Sequence, residues 1–503
     1  MGTSRPHSLL YLADLSAVRL LESLRPLAPL VPSVEAPIGR IDVTERAIWT
    51  AATLALYLSL TSFPLLGANT GHALAMDTPD PWAHLRNILA ARRGTLAELG
   101  VGPVVTAGFL AQAGAASGWL DVDFGRREDR ALFGLAQKVL ALTIALVQSL
   151  VLVFTGTYGP VSSLAPSTIL LIIFQLVGTT AVIIALDEIV SSGYGVGSGI
   201  SNFIAGATAS TIISSALSFS WVPTIAGPQY QGSLVALGHA VLKSHSKSRA
   251  LRSAFYRDYL PNVWSLLTTV ALFFAAVFVQ SFRTEIPLKN MRARGMRVNY
   301  PVKLLYTSSI PLIVTGALAS HLFLASHAIY QLAPGNLVSR LITGAWTPLS
   351  EITHPATQSA VSSGLTRLLT PPGSLLSALL SPIQTVTYAS VLLATSAVIA
   401  GAWLVISGSG PHELAKQFKE QQLVIAGHRE GSMTRELEKV LPTAAASGAA
   451  LLAALAVVGD VFGVYGGGVA FVATATTIYN LFELGMKEIM GPDGPGGMGD
   501  MLM

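Results

Sequence analysis

Ten runs of mainly apolar residues divide this chain, each near the ~20 residues that carry a helix across a bilayer core. They predict spans at 47–66, 101–118, 135–154, 167–186 and 199–221, then at 262–281, 304–325, 383–406, 443–462 and 467–482. An even number of crossings puts both termini on one face. Two polar stretches between runs, 282–303 and 407–441, are too charged to enter a membrane. They lie an even number of crossings apart and so share a face.

Composition agrees with this reading. Of 503 residues only 12% are charged and 51% are hydrophobic, with a mean hydropathy of +0.57. Soluble domains carry about 25% charged residues, so an all-α polytopic membrane protein is expected. Cysteine is absent, which excludes disulfides, thiolate metal sites and Cys nucleophiles. The first 46 residues mix charge and proline without an adequate apolar core, so insertion is expected to start at the first span.

The net charge of +4 is modest, and its placement matters more than its size. Lys and Arg on the face of the N-terminus outnumber those on the other face two to one, which predicts cytosolic termini. The segment 243–257 is basic on the wrong face for this rule. Cationic loops displayed on one face suit an anionic partner, although such charge also stays solvated in many membrane proteins.

Some spans are not plain anchors. The second opens on Gly100, Val101, Gly102 and Pro103, and the seventh contains Pro311; small residues and broken helices in membranes commonly line a cavity. Before the second span, residues 80–90 carry a helical pattern too short to cross. This segment reads equally as re-entrant or as a surface helix.

At this point the residues resemble the SecY family, the alpha subunits of Sec protein-conducting channels, in its eukaryotic endoplasmic-reticulum form. The resemblance runs from about Glu45 to Phe482. It is carried by 93–103 (RGTLAELGVGP), 129–138 (DRALFGLAQK), 193–201 (GYGVGSGIS), 252–257 (RSAFYR), 281–289 (SFRTEIPLK), 300–308 (YPVKLLYTS) and an insert ending at 427–430 (GHRE). It implies two five-helix halves with inverted pseudo-twofold symmetry, 47–222 and 262–484, around an hourglass pore. A cytosolic segment 1–46, a lumenal loop 223–261 and a flexible tail 485–503 complete the implied division.

The resemblance assigns roles by motif position. An apolar ring at the waist would comprise Val101, Val105, Ile200, Ile204, Ile313 and Ala473, sealing the idle channel by dewetting. Its members at i and i+4 share a helix face, although an aliphatic residue in a membrane helix faces lipid as readily. A plug at 80–90 (Asp80, Pro81, Trp82, Leu85, Arg86, Ile88, Leu89) would rest on the ring, with Arg86 free to stay unburied and Arg92, Arg93 and Gly94 as its hinge. A lateral gate toward lipid would use Thr106, Gln137 and His321. The family usually has Asn at the last position; histidine also donates and accepts, and it serves as well for an ordinary bond to a neighbouring helix.

Arg283, Lys289, Arg292, Arg294, Lys416, Lys419, His428 and Arg429 would dock a ribosome, whose surface phosphates bind Lys and Arg. Nascent chains, signal peptides, membrane lipid and two small single-span subunits, beta and gamma, are the other implied partners. The location implied is the endoplasmic reticulum membrane.

The competing class is an ion-coupled secondary transporter, which inverted halves and broken helices also describe. Such proteins need ionisable groups at mid-membrane depth, and inside the expected spans only Lys138 and Asp460 qualify, both near ends. No Walker loop, His-Glu-x-x-His or Gly-x-Ser-x-Gly context is present. No enzyme activity, catalytic residue, metal site or cofactor is expected.

Overall fold

A backbone in hydrocarbon must satisfy its own hydrogen bonds, and the apolar runs accordingly fold as helices. The computed structural model describes residues 24–31, 33–39, 41–68, 83–120, 122–124, 126–158, 161–224, 227–243, 247–257, 260–290, 297–332, 344, 364–425 and 433–490. In α1 (Val43–Leu60) the Asp42 side chain caps the first turn, accepting the Val43 N–H at 2.9 Å. A six-residue helix, α2 (Ala83–Ile88), precedes α3 (Gly102–Ala116), which has proline in its first turn. The first half continues through α4 (Arg127–Phe154), α5 (Pro166–Ile189) and α6 (Gly199–Leu217).

Between the halves lie a hairpin of β1 (Trp221–Thr224) and β2 (Gly227–Tyr230) and two helices, α7 (Ser233–Lys243) and α8 (Lys247–Phe255). The second half comprises α9 (Val263–Gln280), β3 (Arg283–Asn290), β4 (Arg297–Lys303) and α10 (Ile310–Leu332). Two short helices follow, α11 (Leu365–Leu368) and α12 (Leu375–Leu380), then α13 (Pro382–Ile406), α14 (Pro411–Glu420) and β5 (Leu423–Ile425). The last two helices are α15 (Met433–Val461) and α16 (Gly468–Met490).

The ten expected spans are α1, α3, α4, α5, α6, α9, α10, α13, α15 and α16. Among the described residues eight of these are long and apolar enough to cross a bilayer. α1 carries Glu45 and Arg46 in its first turns. The 15 residues of α3 rise only about 22 Å. Residues 89–101 join α2 to α3 through turns, and the start of α3 is packed beside the end of α2.

Several helix ends depart from the expected ones, some where a charged or polar stretch stays helical. α5 continues beyond 186 through Asp187 and Glu188 before a π turn, Val190–Tyr194, that swings on Gly193 at φ 109°. α15 begins before 443 because the buried side chains of Leu437 and Leu441 hold its first turns, and the helix continues through Pro442. α16 runs to Met490, so the tail expected from 485 begins at 491, outside the described residues.

The halves meet along two seams, α6 against α16 and α3 against α10 and α13; α4 also reaches α10. The two charged inserts, expected as loops, form one antiparallel sheet of order β4–β3–β5. Likewise the stretch expected as a loop at 223–261 is largely β1, β2, α7 and α8.

Candidate functional site

The apolar side chains assigned to a waist converge. Val101, Val105, Ile204, Ile313 and Ala473 are buried in one cluster, and Ile200 packs against it half-buried. They come from the start of α3, from α6, from α10 and from α16, so both halves contribute. The same cluster contains Ile88, Leu89 and Ala90. The end of α2 therefore sits on the cluster expected as the waist.

Short-range geometry explains how α2 gets so close. A Cβ on Gly316 of α10 would lie 2.9 Å from the Ile88 side chain, so any larger residue would force Ile88 to shift. The Val101 N–H donates to the Leu89 carbonyl at 2.9 Å, joining the end of the short helix to the beginning of α3. The Tyr57 hydroxyl donates to the Ala90 carbonyl at 2.8 Å, at a residue whose φ is +53°. That backbone conformation is unfavourable for alanine, and the buried hydrogen bond helps hold it. Leu85 packs on Phe323 of α10. Asp80, Pro81 and Trp82 lie outside the described residues.

The hinge is tied down as well. Leu65 donates to the Gly94 carbonyl at 3.0 Å and Leu96 to the Phe63 carbonyl at 3.0 Å, a strand-like clasp on the end of α1.

Arg86 had no need of burial for the role implied to it. It is buried, and its guanidinium pairs with the fully buried Glu98 carboxylate at 3.2 Å. Glu98 also accepts from the Tyr158 hydroxyl at 2.7 Å and from the Gly94 N–H at 3.3 Å. Burial, and then the Glu98 charge, holds the Tyr158 phenol well above its usual range, so it remains a donor. A charge near the waist is tolerable only when paired and hydrogen-bonded. A small cavity lies beside this network, lined in part by Leu89, Glu98, Gln148, Leu152 and Ser320.

The gate residues are brought together only in part. Thr106 bonds within its own helix, to the Gly102 carbonyl at 2.8 Å. Gln137 is half-buried on α4, and among the described residues its side chain makes no hydrogen bond. The polar bridge between α4 and α10 is instead Gln148 to His321 Nε2 at 2.8 Å, with His321 Nδ1 donating to the Ala317 carbonyl at 2.6 Å. A carbonyl only accepts, so Nδ1 carries a proton and Nε2 is left to accept from the amide. Gln148 lies three helical turns beyond Gln137, on the same face; that periodicity is the one signal in the sequence pointing to it.

Ionisable groups inside the spans number more than expected, and each is engaged. Lys138 pairs with Glu188 at 2.7 Å, tying α4 to α5. Asp187 accepts the Ile200 N–H at 2.9 Å, and Asp460 accepts the Gly468 N–H at 2.6 Å and the Tyr388 hydroxyl at 2.8 Å.

The cationic inserts share a core of their own. Leu288 of β3, Val302 of β4, Leu414 and Phe418 of α14, and Leu437 of α15 are buried together, with Tyr300 edge-on to Phe418 at 5.2 Å. Alternation along β3 turns Leu288 inward and leaves Arg283 and Lys289 exposed. Lys416 and Lys419 are exposed on α14. Lys303 pairs with Glu483, anchoring the sheet to the end of α16. Arg292, Arg294, His428 and Arg429 lie outside the described residues.

An apolar constriction shared by two helical halves, stopped by a short helix and flanked by a cationic platform, has the build of a membrane channel sealed at rest. The family model for SecY matches residues 95–482. The SEC61 subunit alpha protein transport protein of Neurospora crassa is 40% identical over 474 residues, spanning 94% of this chain and 98% of that protein. Among solved structures, Sec61 in the canine ribosome–channel complex from the endoplasmic reticulum is similar with a TM-score of 0.69 and 27% identity, over 92% of this chain and 97% of that one. The idle yeast Ssh1 complex bound to the yeast 80S ribosome gives a TM-score of 0.75 at 27% identity, over 95% of this chain and 97% of that one. This chain belongs to the SecY family.

Proposed function

We propose that the chain is the pore-forming subunit of a protein translocon, a transport channel and not an enzyme, which passes nascent polypeptides across the endoplasmic reticulum membrane. The observation that carries this reading is the meeting of six small or aliphatic side chains from both halves at one point, capped by Ile88 and Leu89. Such a ring excludes water and ions when empty, yet it has no covalent or ionic closure to break when a chain enters. Residues 47–222 and 262–484 act as the two halves of the clamp, and residues 80–90 as the plug. The seam of α3 and α4 against α10 is the lateral gate, with Thr106, Gln148 and His321 its polar groups. Interhelical hydrogen bonds in membranes average only ~0.6 kcal/mol, so a seam held in this way can open.

Both termini and the β3–β4 hairpin face the cytosol, where Arg283, Lys289, Lys416 and Lys419, with Arg292, Arg294, His428 and Arg429, meet the ribosome's phosphates. Small beta and gamma subunits complete the assembly. The ion-coupled transporter reading is not favoured, because Lys138 and Glu188 neutralise each other and Asp187 and Asp460 cap helices.

Absence of native cysteine makes the test clean. Single cysteines at Val105 or Ile313 are expected to form disulfides with a cysteine in a ribosome-stalled translocating chain, while one at the exposed Phe274 of α9 does not. Equal capture at all three sites would remove the pore assignment.

A further inference from the structure

The basic segment that defies the charge bias lies in α7 and α8, between α6 and α9, and therefore on the face opposite the β3–β4 hairpin. The inner side of α7 packs on α6, α9 and β2, with Ser233 buried. Its outer side is exposed at Leu234, Gly238, Val241 and Leu242, positions i, i+4, i+7 and i+8 of one helical stripe. Leu242 is 89% exposed. Among the described residues none covers this stripe.

Cations follow directly. Lys243, Lys247 and Arg252 are exposed, and among the described residues none of the three forms an ion pair. Arg257, by contrast, is buried and donates to the Tyr230 and Pro261 carbonyls, so it belongs to the scaffold. Exposed aromatic residues mark the level of the segment. Trp221 lies just past α6, Trp264 opens α9, and Tyr256 ends α8. Trp and Tyr at helix ends sit at headgroup depth in membranes.

We propose that α7 and α8 form an amphipathic foot that binds the phospholipid headgroups of the leaflet opposite the hairpin, with Leu234, Val241 and Leu242 entering the acyl boundary and Lys243, Lys247 and Arg252 holding lipid phosphates. An apolar stripe followed by unpaired cations is the pattern of a helix lying in the interface. Each half of the pattern is weak alone, and together they make attachment stable. This use of the charge also accounts for why basic residues persist on that face: they are spent on lipid rather than on orientation.

The test uses the full chain in lipid nanodiscs, with an environment-sensitive fluorophore on Leu242→Cys, on Leu234→Cys, or on Lys289→Cys in the hairpin as a control. Headgroup spin-labelled and shallow acyl-labelled lipids are expected to quench the Leu242 and Leu234 probes roughly twofold or more above the control. Combining Lys243→Glu, Lys247→Glu and Arg252→Glu should bring quenching of the Leu242 probe down to the control level in discs containing phosphatidylserine. Quenching at both α7 sites no greater than at Lys289, or quenching indifferent to the triple reversal, overturns the proposal.

Discussion

Glu98 is the residue on which the seating of α2, the proposed plug, turns. Its carboxylate holds Arg86 of α2, the Gly94 N–H and the Tyr158 hydroxyl beyond α4, and its side chain is fully buried. Removing one partner of a buried pair strands the other, at about 3–5 kcal/mol. Glu98→Ala is therefore expected to unseat α2 and raise the resting ion conductance of the reconstituted channel in planar bilayers. Tyr158→Phe loses one bond to a charged acceptor, about 1.5–3 kcal/mol at most, and should leak less. Replacing both Arg86 and Glu98 by Leu should leak less than Glu98→Ala, because no charge is left alone; a double variant that leaks as much would show that the pair does not hold the plug. Glu98 is not legible as a partner in the sequence, and Gln148 is signalled only by its helical phase with Gln137. The ring residues are found through the resemblance, by motif position, whereas a tertiary side-chain bond has no fixed separation along the chain. Arg86 to Glu98 and Gln148 to His321 share no common interval.

At the level of elements, the apolar runs predict every long helix, and two of the misplaced ends share one cause. A sliding apolar window stops at the first charge, but α5 carries Asp187 and Glu188 inward with partners, and α15 begins in a polar stretch whose Leu437 and Leu441 are core. The strands are invisible for a related reason: β3 and β4 are rich in charge, and only the alternation around Leu288 shows a half-buried strand. The consequence is functional, because one core joins both inserts and positions the exposed cations relative to each other. Two substitutions separate position from charge. Phe418→Ala opens that core, a change that typically costs about 3–5 kcal/mol, and should weaken ribosome binding while leaving its dependence on salt nearly unchanged. Arg283→Glu removes a phosphate contact and should flatten the plot of log affinity against log salt by about one unit. Sedimentation of the protein with ribosomes across a salt series checks both; identical slopes for Arg283→Glu and the parent would exclude that residue from the contact.

Across the whole molecule, one device appears twice. In the first half the end of α5 presents Asp187 to the Ile200 N–H in the first turn of α6, and in the second half the end of α15 presents Asp460 to the Gly468 N–H that opens α16. Each is the fourth span of its half capping the fifth, as an inverted repeat requires, and each fifth span begins on a glycine pressed against the fourth. A Cβ on Gly199 would lie 2.8 Å from Asp187 Cα, and one on Gly468 would meet the Ala456 carbonyl oxygen at 1.9 Å. The two capped helices are the ones that carry Ile200, Ile204 and Ala473 to the waist, and they pack on each other across the seam between halves. The aspartates thus hold the turns from which both halves carry these side chains to the shared apolar cluster. Division into five and five is readable from the sequence, but this correspondence is not, because Asp187 falls beyond the expected end of its span and the two capping intervals differ. Loss of a capping acceptor costs about 1 kcal/mol, and at Asp460 the buried Tyr388 hydroxyl loses its partner as well. Asp460→Ala is accordingly expected to lower the midpoint of thermal unfolding in detergent more than Asp187→Ala does. Both should raise resting conductance, because each tilts a helix that lines the seal. Asp460→Asn keeps an oxygen acceptor for Gly468 and should fall between Asp460→Ala and the parent in both measurements; conductance unchanged in all three variants would separate the caps from the seal and leave them a purely structural part.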